Sequence, residues 1–150
     1  LGAAEIDELG NVNVSKFGSR CMGPGGFIDI TQNTKKICFM GTFTANGLEC
    51  EIGDGKIKIL REGLNKKFKK RVEQITFAGE NALINNQDII YITERAVFKL
   101  NCGVELIEIA PGIDLERDIL LNMEFKPKIS PELKLMDERI FRAEKMNLKF

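Results

Sequence analysis

A nearly unbroken apolar run, Lys35-Lys-Ile-Cys-Phe-Met-Gly-Thr-Phe-Thr44, follows shortly after a glycine-rich stretch. It constrains the fold more than any other segment. A continuous run of this length fits a strand buried on both faces, which antiparallel sheets with one wet face do not require. A strand of that kind after a glycine loop points to an α/β layer architecture. Two hairpins add to it. Leu48–Ile52 and Lys56–Leu60 flank Gly-Asp-Gly, and Ala96–Leu100 and Val104–Ile109 flank Asn-Cys-Gly. Each link is read as three residues ending in a glycine, Gly55 or Gly103, that accepts the left-handed conformation of a bulged turn. Ala3–Ile6 and Val12–Ser15 read as a further hairpin, with Gly10-Asn11 as turn chemistry. Arg71–Phe77 and Asp88–Arg95 read as strands, joined by a short helix over Gly79–Gln87. Phe27–Asn33 is open: its β-branched residues favour a strand, its place after Gly25-Gly26 a short helix. Pro111-Gly112 stops a strand, and Asp114 then caps a helix through Leu115–Met123 with Glu116 in its first turn. The tail, Pro131–Phe150, reads as an amphipathic helix or an extended arm. No repeat or linker interrupts the 150 residues, so they read as one domain.

Composition removes several function classes. The chain has 22 basic and 22 acidic residues, which argues against a general nucleic-acid binder. The basic run Lys66–Arg71 reads as a solvated edge strand, where lysines discourage edge pairing. No apolar run is long enough to span a bilayer, and the small, acidic start is unlike a signal peptide. There is no histidine, so Ser–His–Asp and Cys–His catalysis within the chain is excluded. Cys21, Cys38, Cys50 and Cys102 form no C-x-x-C pair, so no metal site is expected. They read as reduced thiols of a cytoplasmic protein, with Cys38 as a small buried hydrophobe.

One segment carries potential chemistry, Cys21-Met-Gly-Pro-Gly-Gly-Phe-Ile-Asp29. Three glycines in four positions let a ligand approach the backbone closely. Pro24 stiffens the loop and donates nothing. The backbone donors are Gly23, Gly25, Gly26 and Phe27, which suit a phosphate or a developing oxyanion. A plain structural turn explains the same composition equally well, because the segment matches neither common nucleotide-loop pattern.

The wider sequence adds a resemblance that bears on this segment. GPGGFIDITQNTKKICFMGTFTA, ITERAVF and IEIAPGIDLE, flanked by GAAEIDELGNVNVSKFG, VEQITFAG, KPKIS and LKLMD, resemble in order the propionate and short-chain acyl-CoA family I CoA-transferases. The resemblance runs from about Gly2 to Asp137 and corresponds to the end of the second of two similar α/β halves. It implies an open α/β sheet flanked by helices with added β-hairpins. It also implies CoA transfer between a short-chain acyl-CoA and a carboxylate through a glutamyl-CoA thioester. Coenzyme A would be a substrate, and no cofactor is implied. The nucleophilic glutamate of the family lies upstream of the segment equivalent to residues 2–18. No catalytic residue is therefore carried over, and a chain starting at Leu1 is expected to be a fragment, inactive alone. The implied CoA or oxyanion contacts are Gly23, Gly25, Gly26 and Phe27. Glu94, inside ITERAVF, is read as a strand carboxylate paired with Arg95 or another cation. The implied partners are the N-terminal portion of the same enzyme and further copies in a homo-oligomer, with no nucleic acid and no membrane. An isolated lobe is expected to expose apolar surface and self-associate. Two other readings stay open, a non-catalytic partner-binding lobe and part of an acyl-CoA hydrolase.

Overall fold

The computed structural model describes residues 1–148. The strands are β1 Glu5–Asp7, β2 Val12–Asn13, β3 Lys16–Phe17, β4 Arg20–Cys21, β5 Lys36–Met40, β6 Thr44–Ala45, β7 Glu49–Gly53, β8 Lys56–Arg61, β9 Asn65–Lys66, β10 Phe68–Lys69, β11 Asp88–Ile92, β12 Ala96–Leu100, β13 Val104–Ile109 and β14 Lys128–Leu135. Helix α1 covers Phe27–Asn33 and α2 covers Gly79–Ile84. The main sheet is open and mixed, in the order β14-β13-β12-β11-β5. Its two outermost pairs are parallel and the inner ones antiparallel. A small sheet, β10-β1-β2, and the β7–β8 hairpin are added to it. The architecture is the α/β open sheet with hairpins that the sequence implies.

Register explains the core. Phe39, Tyr91, Phe98 and Leu106 are directly paired neighbours across four strands, so they form one buried row. Phe27 of α1 stacks on Phe39 at 5.8 Å between ring centroids, and Phe77 meets Phe39 edge-on at 5.1 Å. A second aromatic group joins Phe43, Phe68 and Phe98, with two of its contacts at 4.8 Å. Such pairs add to area burial when the rings are offset or tilted, as here.

Several expectations change. The Lys36–Met40 strand lies at an edge of the sheet, not in its middle. Ile37 and Phe39 are buried, while Lys36 and Met40 are exposed, because α1 and Phe77 cover only one face. Cys38 is accordingly half-buried. The β7–β8 link has two residues, since Gly53 pairs with Lys56. Asp54 and Gly55 both take positive φ, 53° and 77°, the type I′ geometry whose twist matches the hairpin. The Asn101-Cys102-Gly103 link has three residues, as expected. Arg71–Phe77 forms no strand. Its amides are taken by side chains instead: Val72 donates to Asp7 and Glu73 to Glu5. Thr76 and Phe77 both donate to the Val12 carbonyl. Phe27–Asn33 resolves as a helix. After the Asp114 cap the chain makes a π-helical turn over Leu115–Ile119 and a 3-10 turn over Leu120–Asn122 rather than an α-helix. The tail takes its extended alternative as β14, followed by a 3-10 turn at Glu138–Phe141; Lys149 and Phe150 lie outside the described residues.

Tyr91 also fixes the β1–β2 turn. Its buried hydroxyl donates to the Gly10 carbonyl at 2.6 Å, and burial pushes its pKa far upward. Tyr91→Phe keeps the ring but leaves that carbonyl without its donor. The expected cost is about 1–3 kcal/mol in urea denaturation. A variant as stable as the parent would show that the bond contributes nothing.

Candidate functional site

The glycine segment begins where the β3–β4 hairpin ends. Gly18 donates its N–H to Glu73 at 2.8 Å, and Met22 donates to the Ser15 carbonyl at 2.8 Å, so the loop's entry is fixed. Gly23 and Gly25 take φ of 72° and 53°, which a side chain would strain. Gly26 is different. Its φ is −83°, and a Cβ built on it meets nothing within 4 Å. Neither backbone geometry nor packing within this chain calls for glycine there.

The loop's exit is anchored by Phe27, which is buried against Phe39. The Phe27 N–H donates to the Pro24 carbonyl at 3.1 Å, and the Gly26 carbonyl accepts from Ile30. Of the four donors named from sequence, Phe27 is thus engaged in the turn. The N–H groups of Gly23, Gly25 and Gly26 have no partner among the described residues, and all three residues are exposed. Helix α1 is held from outside by Gln87, whose amide donates to the Thr31 and Thr34 carbonyls at 2.9 and 2.6 Å.

A second cluster is built on the β11–β12 turn. Arg95 has no exposed surface. Its Nε donates to Glu94 at 2.6 Å, its Nη atoms form a two-pronged pair with Glu62, and Nη1 also donates to the Asp118 carbonyl at 3.1 Å. The guanidinium sits 4.9 Å from the centroid of the Phe43 ring. The other Glu94 oxygen accepts the Phe43 N–H at 2.8 Å. Both Glu94 oxygens are therefore engaged, as expected of a paired structural carboxylate, but the residue sits in the β11–β12 turn and not in a strand. Glu62 as the main partner was not read from the sequence, because 33 residues separate it from Arg95.

The basic run is an edge strand in part. β10 borders the small sheet, yet Phe68 is fully buried. Lys69 pairs with Glu124 at 2.9 Å and Lys66 donates to the Leu121 carbonyl at 2.7 Å. Burial lowers the Lys67 pKa, opposed by the charge of Glu94. Lys66 and Lys69 are thus engaged by the protein itself, while Lys70 and Arg71 are exposed. Among the described residues no group of three or more Cys, Asp or Glu side chains converges as a metal site, and no helix is long and apolar enough to cross a membrane.

Comparison with known proteins places this geometry. No family model matches the chain. Acetate CoA-transferase YdiF of Escherichia coli O157:H7 is 58% identical over 142 residues, covering 94% of this chain and 27% of that protein. Caffeate CoA-transferase of Acetobacterium woodii is 56% identical over 147 residues, covering 94% and 28%. Crystal structures of the Escherichia coli O157:H7 acyl-CoA transferase YdiF, as apoenzyme and as a thioester complex with CoA, superpose with a TM-score of 0.96 at 55% identity. Each match covers 99% of this chain and 29% of the solved one. In sequence and in fold, the chain is related to the CoA-transferases. It spans little more than a quarter of the length of these relatives.

Two stability tests follow from the cluster. Arg95→Met leaves Glu62 and Glu94 without their cation. The expected loss is about 3–5 kcal/mol of unfolding free energy, and Glu62→Gln in the same chain should restore part of it. A double variant no better than the single one would contradict the pairing. The Asp118 carboxyl is held below its usual value, chiefly by hydrogen bonds from Arg117, with the Asp114 N–H helping and burial opposing. The folded pKa lies below the unfolded one, so the unfolded chain binds more protons in that range. Its contribution is full above about pH 4 and lost as pH falls through the lowered folded value. Asp118→Asn should lower Tm at neutral pH and flatten the acid limb of the Tm–pH curve. Parallel curves for the two proteins would exclude this role.

Proposed function

We propose that these 150 residues are one lobe of an enzyme that transfers CoA between a short-chain acyl-CoA and a carboxylic acid. The observation that carries this reading is the loop of exposed, unpaired glycine N–H groups in a chain 58% identical to an acetate CoA-transferase. The nucleophile is a glutamate supplied from outside this chain. Its carboxylate attacks the thioester carbonyl and the thiolate of CoA leaves. CoA then attacks the glutamyl carbonyl of the resulting anhydride, breaking its C–O bond and releasing the first acyl group as a carboxylate, to give the glutamyl-CoA thioester. The acceptor carboxylate collects CoA by the reverse sequence. Each addition step places negative charge on a carbonyl oxygen.

In this reading the N–H groups of Gly25 and Gly26 face that oxygen or the thioester end of CoA, with Gly23 beside them. Phe27 contributes by anchoring the loop on the sheet, since its own N–H is used by Pro24. Fixed backbone donors stabilise the oxyanion without reorganising, and each supplies about 3–4 kcal/mol at most. The lack of any internal demand for glycine at position 26 supports close approach by a group from outside the chain. The partners are acyl-CoA, a carboxylate, the remaining portion of the enzyme and further copies in a homo-oligomer in the cytoplasm. Exposed Met22, Ile28, Ile30, Met40 and Ile84 give the rest of the protein apolar surface to bury.

The test uses the complete protein, assayed for CoA transfer with and without a carboxylate acceptor. The 150-residue chain alone should not turn over. Gly26→Pro removes one N–H at a φ close to what proline accepts, and Gly26→Ala keeps it with open space for the methyl group. The proline variant should lose about 10²–10³-fold in kcat, and the alanine variant should stay within a few fold. Equal activity of both variants would remove the loop from the chemistry. CoA release that ignores the carboxylate acceptor would make the enzyme a hydrolase.

A further inference from the structure

Within the basic run, Lys67 stands apart. It is half-buried, and its Nζ has no hydrogen-bond or ion-pair partner among the described residues. Glu94 is the carboxylate whose charge acts on it, but both Glu94 oxygens are taken by Arg95 and the Phe43 N–H. Burial therefore outweighs Glu94 and disfavours the charged amine. A cation in that state gains from an anion brought in from outside the chain.

The fold makes room for this ammonium. Nζ lies 2.8 Å from where a Cβ on Gly41 would stand. The φ of Gly41 is outside the left-handed region, so the backbone does not call for glycine there and the ammonium does. Lys67, Phe39, Gly41, Thr42 and Thr93 line a crevice of about 10 Å³, which takes one oxygen-sized group. It sits where β5 and β11 end, and these two strands are parallel. Ligands of open α/β sheets bind outside the carboxyl ends of the strands. Phe39, one wall of the crevice, carries Phe27 stacked on it, so the glycine loop joins the sheet at the same end of β5.

One ammonium with room for one oxygen suits a carboxylate, whereas a phosphate presents three acceptor oxygens to satisfy. In the proposed reaction the acceptor arrives when the glutamate is an uncharged CoA thioester, so the acceptor is then the free carboxylate at the site. We propose that Lys67 Nζ binds one oxygen of the acceptor carboxylate, with Gly41 keeping the space open. The proposal rests on the CoA-transfer reading and deepens it by giving the acceptor a binding residue in this chain. The second acceptor oxygen attacks the glutamyl-CoA carbonyl and displaces the CoA thiolate, the reverse of anhydride breakdown in the first half-reaction.

The test uses the complete enzyme with propionyl-CoA as donor and acetate as acceptor. Lys67→Gln should raise KM for acetate about tenfold or more and leave KM for propionyl-CoA within about twofold. Lys67→Arg keeps the charge and should recover part of the loss. Gly41→Ala displaces Nζ and should raise the acetate KM in the same direction, which guards against misfolding of the first variant. Lys70→Gln removes an exposed charge nearby and should change neither value. An acetate KM unchanged in Lys67→Gln, equal changes in both KM values, or the same rise in Lys70→Gln overturns the proposal. If the parent transfers CoA to no carboxylate, the enzymatic reading fails separately. The site is then read by NMR titration with acetate labelled with carbon-13. Weaker binding to Lys67→Gln than to the parent supports a carboxylate site at Lys67, and equal or absent binding overturns it.

Discussion

The fully buried guanidinium of Arg95 is the constraint around which the sheet's far end is organised. Removing a cation from water costs several kcal/mol even after relaxation, so its partners must be in place. They come from four separate parts of the chain. Glu94 precedes it, Glu62 follows β8, the Asp118 carbonyl belongs to the π-helical turn, and Phe43 lies between β5 and β6. Glu94 passes the connection on to the Phe43 N–H, and Glu62 to the Thr44 hydroxyl. One cation thus fixes the loop after β5, the link after β8 and the turn after β13 in mutual register. An apolar side chain could fill the same volume without specifying which segments meet.

The glycine loop depends on this frame through the aromatic row. Helix α1 has seven residues, too few to be stable by its own hydrogen bonds. It persists because Phe27 stacks on Phe39, Thr31 is buried, and Gln87 closes its last carbonyls. Phe39 in turn is held between Phe77 and Tyr91. The loop therefore has a rigid exit on the sheet and a rigid entry at Ser15 and Glu73, with its exposed N–H groups between them. Pre-set donors of this kind lose little entropy when a ligand arrives.

How much of this was legible in the sequence follows from where each backbone group finds its partner. The β12–β13 hairpin was legible because its turn chemistry and its strands are adjacent, so local residues carry the whole signal. Arg71–Phe77 was not. Its β-branched and aromatic residues, Val72, Ile75, Thr76 and Phe77, imitate a strand, but Asp7 and Glu5, more than sixty residues earlier, take the Val72 and Glu73 amides. Lys36–Met40 reads as a central strand because periodicity reports apolar content and not which face is covered. Met40 and Cys38 are apolar toward a face that this chain leaves half-open. The Arg95–Glu62 pair had no local signal either, since two charges 33 residues apart look like ordinary surface residues. The glycine loop was legible as a place and not as a role, because a flexible turn and an oxyanion cradle need the same residues.

The three loop glycines separate those two roles physically. Gly23 and Gly25 are accounted for by positive φ alone, so a structural turn explains them. Gly26 is at ordinary φ with open space around its missing Cβ, so the turn would accept alanine there. A glycine that the fold does not need is informative about something outside the fold.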